Sequence, residues 1–105
     1  MISLSNINWQ HRYADIGILI GEKEYNKGIY ATEAYSLILK IAFLRLNLLN
    51  LRAIYCTANQ SSGAILKIFK FKVAGIYKNM VLIDGQQEDE VITYLDRQSW
   101  LKRNG

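Results

Sequence analysis

The sequence predicts an α/β domain, a mixed β-sheet with helices packed against it, and three observations predict it. A β-branched run, Ala14 to Gly21, is followed by a long stretch of helical period and then by a second strand-like run, Arg52 to Thr57. A strand, a long helix and a strand in that order form a βαβ unit, whose strands lie parallel. Near the C-terminus Asp84-Gly85 separates two further strand-like runs, the strongest short signal for an antiparallel hairpin.

Taken in order, Ile2 to Leu4 alternates apolar and polar residues as a short strand does, and Ser5 to Arg12 is polar and reads as a turn. Ala14 to Gly21 is the first long strand, where Gly17 marks a bulge or a close backbone approach. A polar loop, Gly21 to Lys27, leads into a helix expected over Lys27 to Leu49. Ala31, Ala34, Ile38, Ile41, Ala42, Arg45 and Leu49 form one row along it, and Tyr35, Leu39, Ala42 and Leu46 a second. Two adjoining apolar rows mean a helix buried over much of its girth, and Asn50 is its expected left-handed stop. After the strand Arg52 to Thr57, Asn59 caps a second helix whose apolar face is Ala64, Ile65, Ile68 and Phe69. Ala74 to Ile83 and Gln87 to Leu95 are the hairpin strands, completing the order β-β-α-β-α-β-β.

Composition bounds the rest. A chain of 105 residues, half of them apolar and 21% charged, builds one domain with one core, spanning 1–105. The sequence has no Pro, which suits helices and central strands. Cys56 is the single cysteine, so no internal disulfide forms, which fits a reducing compartment. The N-terminus lacks the basic-then-apolar order of a signal peptide. The most apolar stretch, Ala34 to Leu51, is interrupted by Lys40, Arg45, Asn47 and Asn50, a pattern for a buried helix and not for a membrane span. A cytoplasmic location without membrane partners is the expectation. The net charge of +4 fits a phosphate-bearing ligand, nucleic acid or neither, and Lys67, Lys70, Lys72 and Lys78 read most simply as solvated faces.

The segment richest in chemistry is the entry to the long helix, Asn26-Lys27-Gly28-Ile29-Tyr30-Ala31-Thr32-Glu33-Ala34. A cap at Asn26 leaves first-turn amides pointing outward, Gly28 offers no side chain to keep a ligand away, and Lys27 adds a full positive charge. Such a helix start suits an anion. An ordinary capped helix with a tolerated glycine explains the same residues.

This segment, preceded by Asp15-Ile16-Gly17-Ile18-Leu19-Ile20-Gly21 and Glu24-Tyr25, resembles the acetyl-CoA motif of GNAT acyltransferases. The branch with ribosomal-protein N-terminal and amino-sugar acetyltransferases is the most similar. Asn59-Gln60-Ser61-Ser62 resembles the opening of that family's next helix, Phe71-Lys72-Val73-Ala74-Gly75 its following strand, and Ile83-Asp84-Gly85, Asp89 and Trp100 its hairpin and tail. The order and spacing hold from Ile2 to Trp100.

The resemblance implies that the strand before the helix splays from its parallel neighbour and that pantetheine lies in the gap as an added strand would. It places the pantetheine edge at Ile18, Leu19 and Ile20. The phosphate cradle falls at Lys27, Gly28, Ile29, Tyr30 and Ala31, with Thr32 close by, and Asn59 bonds the arm near the thioester. Two departures stand out. The family pattern Arg/Gln-x-x-Gly-x-Gly/Ala puts Asn26, Ile29 and Ala31 at its fixed positions, so Gly28 stands one residue early, and Leu66 stands where many members carry a tyrosine general acid. The family's first strand, first helices and next strand have no counterpart, so the chain reads as an N-terminally incomplete domain.

Other candidates read as structural. His11 sits in a polar turn, Cys56 in a strand without a histidine beside it, and Glu88, Asp89 and Glu90 at a solvated strand end, so no metal is expected. Tyr30, Tyr55, Tyr77 and Tyr94 read as sheet or core aromatics. No general base stands out. The implied reaction is acetyl transfer from acetyl-CoA to a primary amine, on a protein N-terminus or on a small-molecule or sugar amine. The alternatives are a catalytically silent CoA-binding or assembly fragment and a small basic nucleic-acid binder. The elements absent from the N-terminal side would leave an open edge and an apolar patch, so a homo-oligomer, most simply a dimer, is expected.

Overall fold

The computed structural model describes residues 2–18 and 28–104, and of Ile18, Gly28, Ile29, Tyr30 and Asn104 it describes the backbone alone. Five strands, β1 (Ile2–Asn8), β2 (Tyr13–Ile18), β3 (Asn50–Cys56), β4 (Lys72–Ile83) and β5 (Gln86–Asp96), form one sheet in the order β1-β2-β3-β5-β4. Among the described residues only β2 and β3 pair in parallel, joined by α1 (Gly28–Lys40) and the π-helical turn Ile41–Arg45 that extends it. The other pairs are antiparallel. Helix α2 (Gln60–Ile68) follows β3, and α3 (Arg97–Asn104) ends the chain. The mixed sheet and the βαβ unit are those the sequence predicts.

Alternation along the strands sets the core. Ala14, Ile16, Leu51, Ala53, Thr93 and Leu95 are buried, while Asp15, Gly17, Arg52, Ile54 and Tyr94, one residue out of phase, lie on the other face. Tyr35, Leu39 and Phe43 from the α1 segment, Ile65 and Leu66 from α2 and Trp100 from α3 join one cluster with the buried face. All three described helices therefore cover the same side of the sheet. The opposite side exposes Ile54 and Tyr94.

The second of the two predicted helical rows is the more deeply buried, although Ala31 and Ile38 of the first also pack against the core. Tyr35, Leu39 and Ala42 are fully buried, whereas Ala34, Arg45 and Leu49 are exposed. The helix also stops short of Leu49. Leu46 N–H bonds Ile41 O at 2.9 Å, a wider ring that ends the regular ladder. Asn47, with φ 58°, is the left-handed residue beyond it, and Asn50 instead begins β3. The bend places two cations on freed carbonyls: Arg97 Nε donates to Phe43 O at 2.9 Å and Arg12 Nε to Asn47 O at 2.8 Å. Periodicity alone did not reveal this, because Leu46 and Leu48 keep the apolar spacing past the break.

Further differences are local. Residues 5–8 continue β1 through an irregular step at Asn6, φ 50°, where a turn was expected. On α2 the buried positions are Ser62, Ile65 and Leu66, with Phe69 half-buried, while Ala64 and Ile68 face solvent. Helix α3 was not foreseen, since Arg97 to Asn104 is strongly polar. Its start is set by Asp96, whose carboxylate accepts from Ser99 N–H at 3.0 Å and Ser99 Oγ at 2.7 Å, and Trp100 anchors it 5.3 Å from the Phe43 ring. The hairpin turn behaves as predicted: Asp84 and Gly85 both take positive φ, 50° and 81°, the pair a type I′ turn requires.

Candidate functional site

Strands β2 and β3 pair at Tyr13 with Asn50, Ala14 with Leu51 and Asp15 with Arg52, and then part. Beyond this rung β2 stays bonded to β1 through Ile18, and β3 stays bonded to β5 through Cys56. Among the described residues the facing edges are left without a strand partner, which is a slot for an extended ligand. A cavity of about 200 Å³ occupies it, walled by Ile16 and Gly17 from β2, residues 53–56 from β3, Asn59, Ser62 and Leu66 from the α2 region, and Tyr35 from α1.

Each wall follows from local structure. Gly17 keeps the β2 side open, its nearest neighbour for an added Cβ being Ser3 Oγ at 3.8 Å. Asn59 is held by capping: its Oδ1 accepts from Ser62 N–H at 3.3 Å, which buries Ser62 and presents α2 to the slot. Tyr55 reaches Gly63 so closely that a Cβ there would meet its ring at 2.9 Å, and it separates the slot from a shallower groove lined by Thr57, Gln60 and Lys67. Tyr35 stacks on Phe69 at 5.1 Å and meets Phe71 edge-on at 6.1 Å. Burial pushes its phenol pKa well above the ordinary value, so the hydroxyl keeps its proton.

Of the residues singled out in the sequence, Asn59 lines the slot and Ile18 ends the strand that forms its edge. Gly28, Ile29, Tyr30, Ala31 and Thr32 form the first turns of α1. Leu19, Ile20, Asn26 and Lys27 lie outside the described residues. Leu66 is buried and contributes to the wall. Cys56, read from the sequence as a structural strand residue, is half-buried and lines the slot, because β3 has left β2 by that point. Tyr55 likewise has a wall position. His11 is an exposed turn residue whose N–H bonds Asn8 Oδ1 at 2.9 Å. Glu88 accepts from Thr57 Oγ1 at 2.9 Å, tying β5 to the end of β3, and Asp89 accepts from Lys78 at 3.1 Å and from Asn79 N–H at 3.0 Å within the hairpin. Ile16, Gly17, Tyr35 and Ser62 were missed as slot residues. The available signals were Gly17, a glycine inside a strand-like run, and Tyr35, a hydroxyl on an otherwise apolar helical row.

Strands β2 and β3 thus form a parallel pair that separates into a slot, with α1 following β2 and the capped helix α2 following β3. The family described as Acetyltransferase (GNAT) domain matches residues 1–72, and the chain belongs to that family. Mutant forms of the spermidine/spermine N-acetyltransferase SpeG from Vibrio cholerae superpose with a TM-score of 0.87 at 24% identity, over 99% of this chain and 62% of that one. A probable acetyltransferase superposes with a TM-score of 0.83 at 28% identity, over 94% of this chain and 55% of that one. A dodecameric structure of spermidine N-acetyltransferase from Vibrio cholerae gives a TM-score of 0.87 at 24% identity, over 99% and 60%. The chain thus spans roughly three fifths of the length of these structures. No curated protein matches it. Among the described residues no helix is long and apolar enough to cross a membrane, and no three metal-binding side chains cluster.

Proposed function

We propose that the chain carries the acetyl-CoA site of an N-acetyltransferase that moves an acetyl group to a primary amine. The observation that carries this reading is the separation of β2 from β3 after Asp15 and Arg52, with a cavity between the freed edges. Pantetheine pairs with Ile18 at the end of β2 and with Leu19 and Ile20, and Asn59 bonds it from the α2 side. The pyrophosphate takes the α1 start, using Lys27, Gly28, Ile29, Tyr30 and Ala31 with Thr32 beside them, where helix amides and their partial positive charge favour an anion. In the transfer the amine nitrogen bonds the thioester carbonyl carbon, the carbon–sulfur bond breaks, and the amine gives up a proton as the thiol is released. Positioning and carbonyl polarisation by backbone amides supply the rate enhancement.

A second reading, a CoA-binding or assembly fragment without turnover, draws support from the slot lining, which holds no Asp, Glu or His among the described residues. Calorimetric titration tests binding, and release of free thiol in the presence of an amine tests turnover. Acetyl-CoA is expected to bind between about 1 μM and 1 mM, or about −8 to −4 kcal/mol. Absence of heat and of a thermal shift at millimolar CoA overturns the first reading and the CoA-binding form of the second; binding without thiol release selects the second.

A further inference from the structure

The fold leaves one buried polar group unexplained. Tyr35 is 0% exposed, and among the described residues its hydroxyl is the buried side-chain polar atom with no hydrogen-bond partner. Other buried polar side chains are accommodated: Thr93 Oγ1, for instance, donates to Ala53 O at 2.8 Å. An unsatisfied buried hydroxyl is costly and uncommon in native proteins. The ring itself is held between Phe69 and Phe71, so the hydroxyl cannot be swung into solvent without dismantling that contact. Phenylalanine would fill the same volume without the penalty. The hydroxyl is therefore not required for packing.

Tyr35 also forms part of the slot wall, with Asn59, Ser62 and Leu66. We propose that the Tyr35 hydroxyl is a positioning contact for the ligand arm, donating a hydrogen bond to a carbonyl oxygen of bound pantetheine or its thioester. The inference rests on the acetyl-CoA reading of the slot. The chemistry is matched: the group is a protonated donor, and an acyl-pantetheine arm presents carbonyl acceptors. Leu66, from the facing helix, supplies no polar atom to that wall. Ligand binding then relieves the penalty that the ligand-free protein carries.

This arrangement predicts effects of opposite sign in one variant. The full chain and its Tyr35→Phe form are compared by urea denaturation without ligand and by calorimetric titration with CoA. The variant is expected to be at least as stable as the parent, yet to bind CoA about tenfold more weakly, the worth of one good hydrogen bond. Unchanged CoA affinity overturns the proposal while leaving the acetyl-CoA site standing. Loss of stability together with affinity also overturns it, because Tyr35 is then a packing residue. If the parent chain itself fails to bind CoA, the site reading falls and this inference with it.

Discussion

Arg52 grips Asp15 with both arms of its guanidinium, Nε to Oδ1 at 2.7 Å and Nη2 to Oδ2 at 3.1 Å, across the last rung at which β2 and β3 pair. Asn6 Nδ2 adds a third bond to Asp15 at 3.0 Å, so β1, β2 and β3 are tied together where the slot begins. The pair is partly exposed, with 47% of the Arg52 side chain and 21% of that of Asp15 accessible, and its contribution to stability is correspondingly modest. Asp15→Asn is expected to lower unfolding free energy by about 1 kcal/mol or less while keeping the bond to Asn6 or Arg52 in weakened form. CoA affinity should fall several-fold because the strands part further down. Urea titration and calorimetry on the same samples check both.

Acid should act through the same contact. The bond from Arg52 holds the Asp15 carboxyl below its ordinary 3.8, and the bond from Ser99 does the same for Asp96. In the pH range between folded and unfolded values the unfolded chain binds more protons, so stability rises with pH there. Stability contributed by these carboxylates is fully present above the unfolded value and is lost as pH falls through the folded ones. Denaturation midpoints should therefore be insensitive to these groups above about pH 5 and decline below about pH 4. Combining Asp15→Asn with Asp96→Asn should flatten that decline, which a urea series across acidic pH measures.

Gly28 opens α1, where backbone amides have no intrahelical acceptor. Gly28→Val is expected to weaken CoA binding more than it lowers stability, since a branched side chain there crowds the phosphate and stiffens the approach to the helix. Equal losses in titration and in denaturation would make Gly28 a structural residue.

Among the described strands β1 is one edge of the sheet and β4 the other, and the face opposite the described helices exposes Ile54, 47% accessible, and Tyr94. Val73, Met80 and Leu82 add exposed apolar surface on β4. Self-association, most simply as a two-fold dimer, would cover part of this surface. Sedimentation at micromolar concentration should give a mass of at least twice 12.1 kDa, and Ile54→Lys should reduce it if the open face is the contact. A clean monomer at that concentration overturns the expectation.

Local chemistry made much of this protein legible in advance. Two strands flanking a long apolar helix determined the parallel pair, Asp84-Gly85 determined the hairpin, and Asn59 announced a helix start, because each depends on neighbours within a few residues. Tertiary structure decided what depends on distant partners. The π-helical end at Ile41–Arg45 is joined to Arg97, more than fifty residues away, through Phe43 O. Helix α3 is polar in sequence and is held by Trp100 in a pocket made by Phe43 and its neighbours, with Leu101 packed on the core and Arg97 bonded to Phe43 O. The slot exists because β2 and β3 stop pairing after Asp15 and Arg52, each then staying bonded to its other neighbour. Whether Tyr35 is an inert member of an apolar row or a donor at that slot could not be read from spacing. Burial sets the cost of its hydroxyl, and only the packed structure puts that hydroxyl out of reach of water and of any described partner.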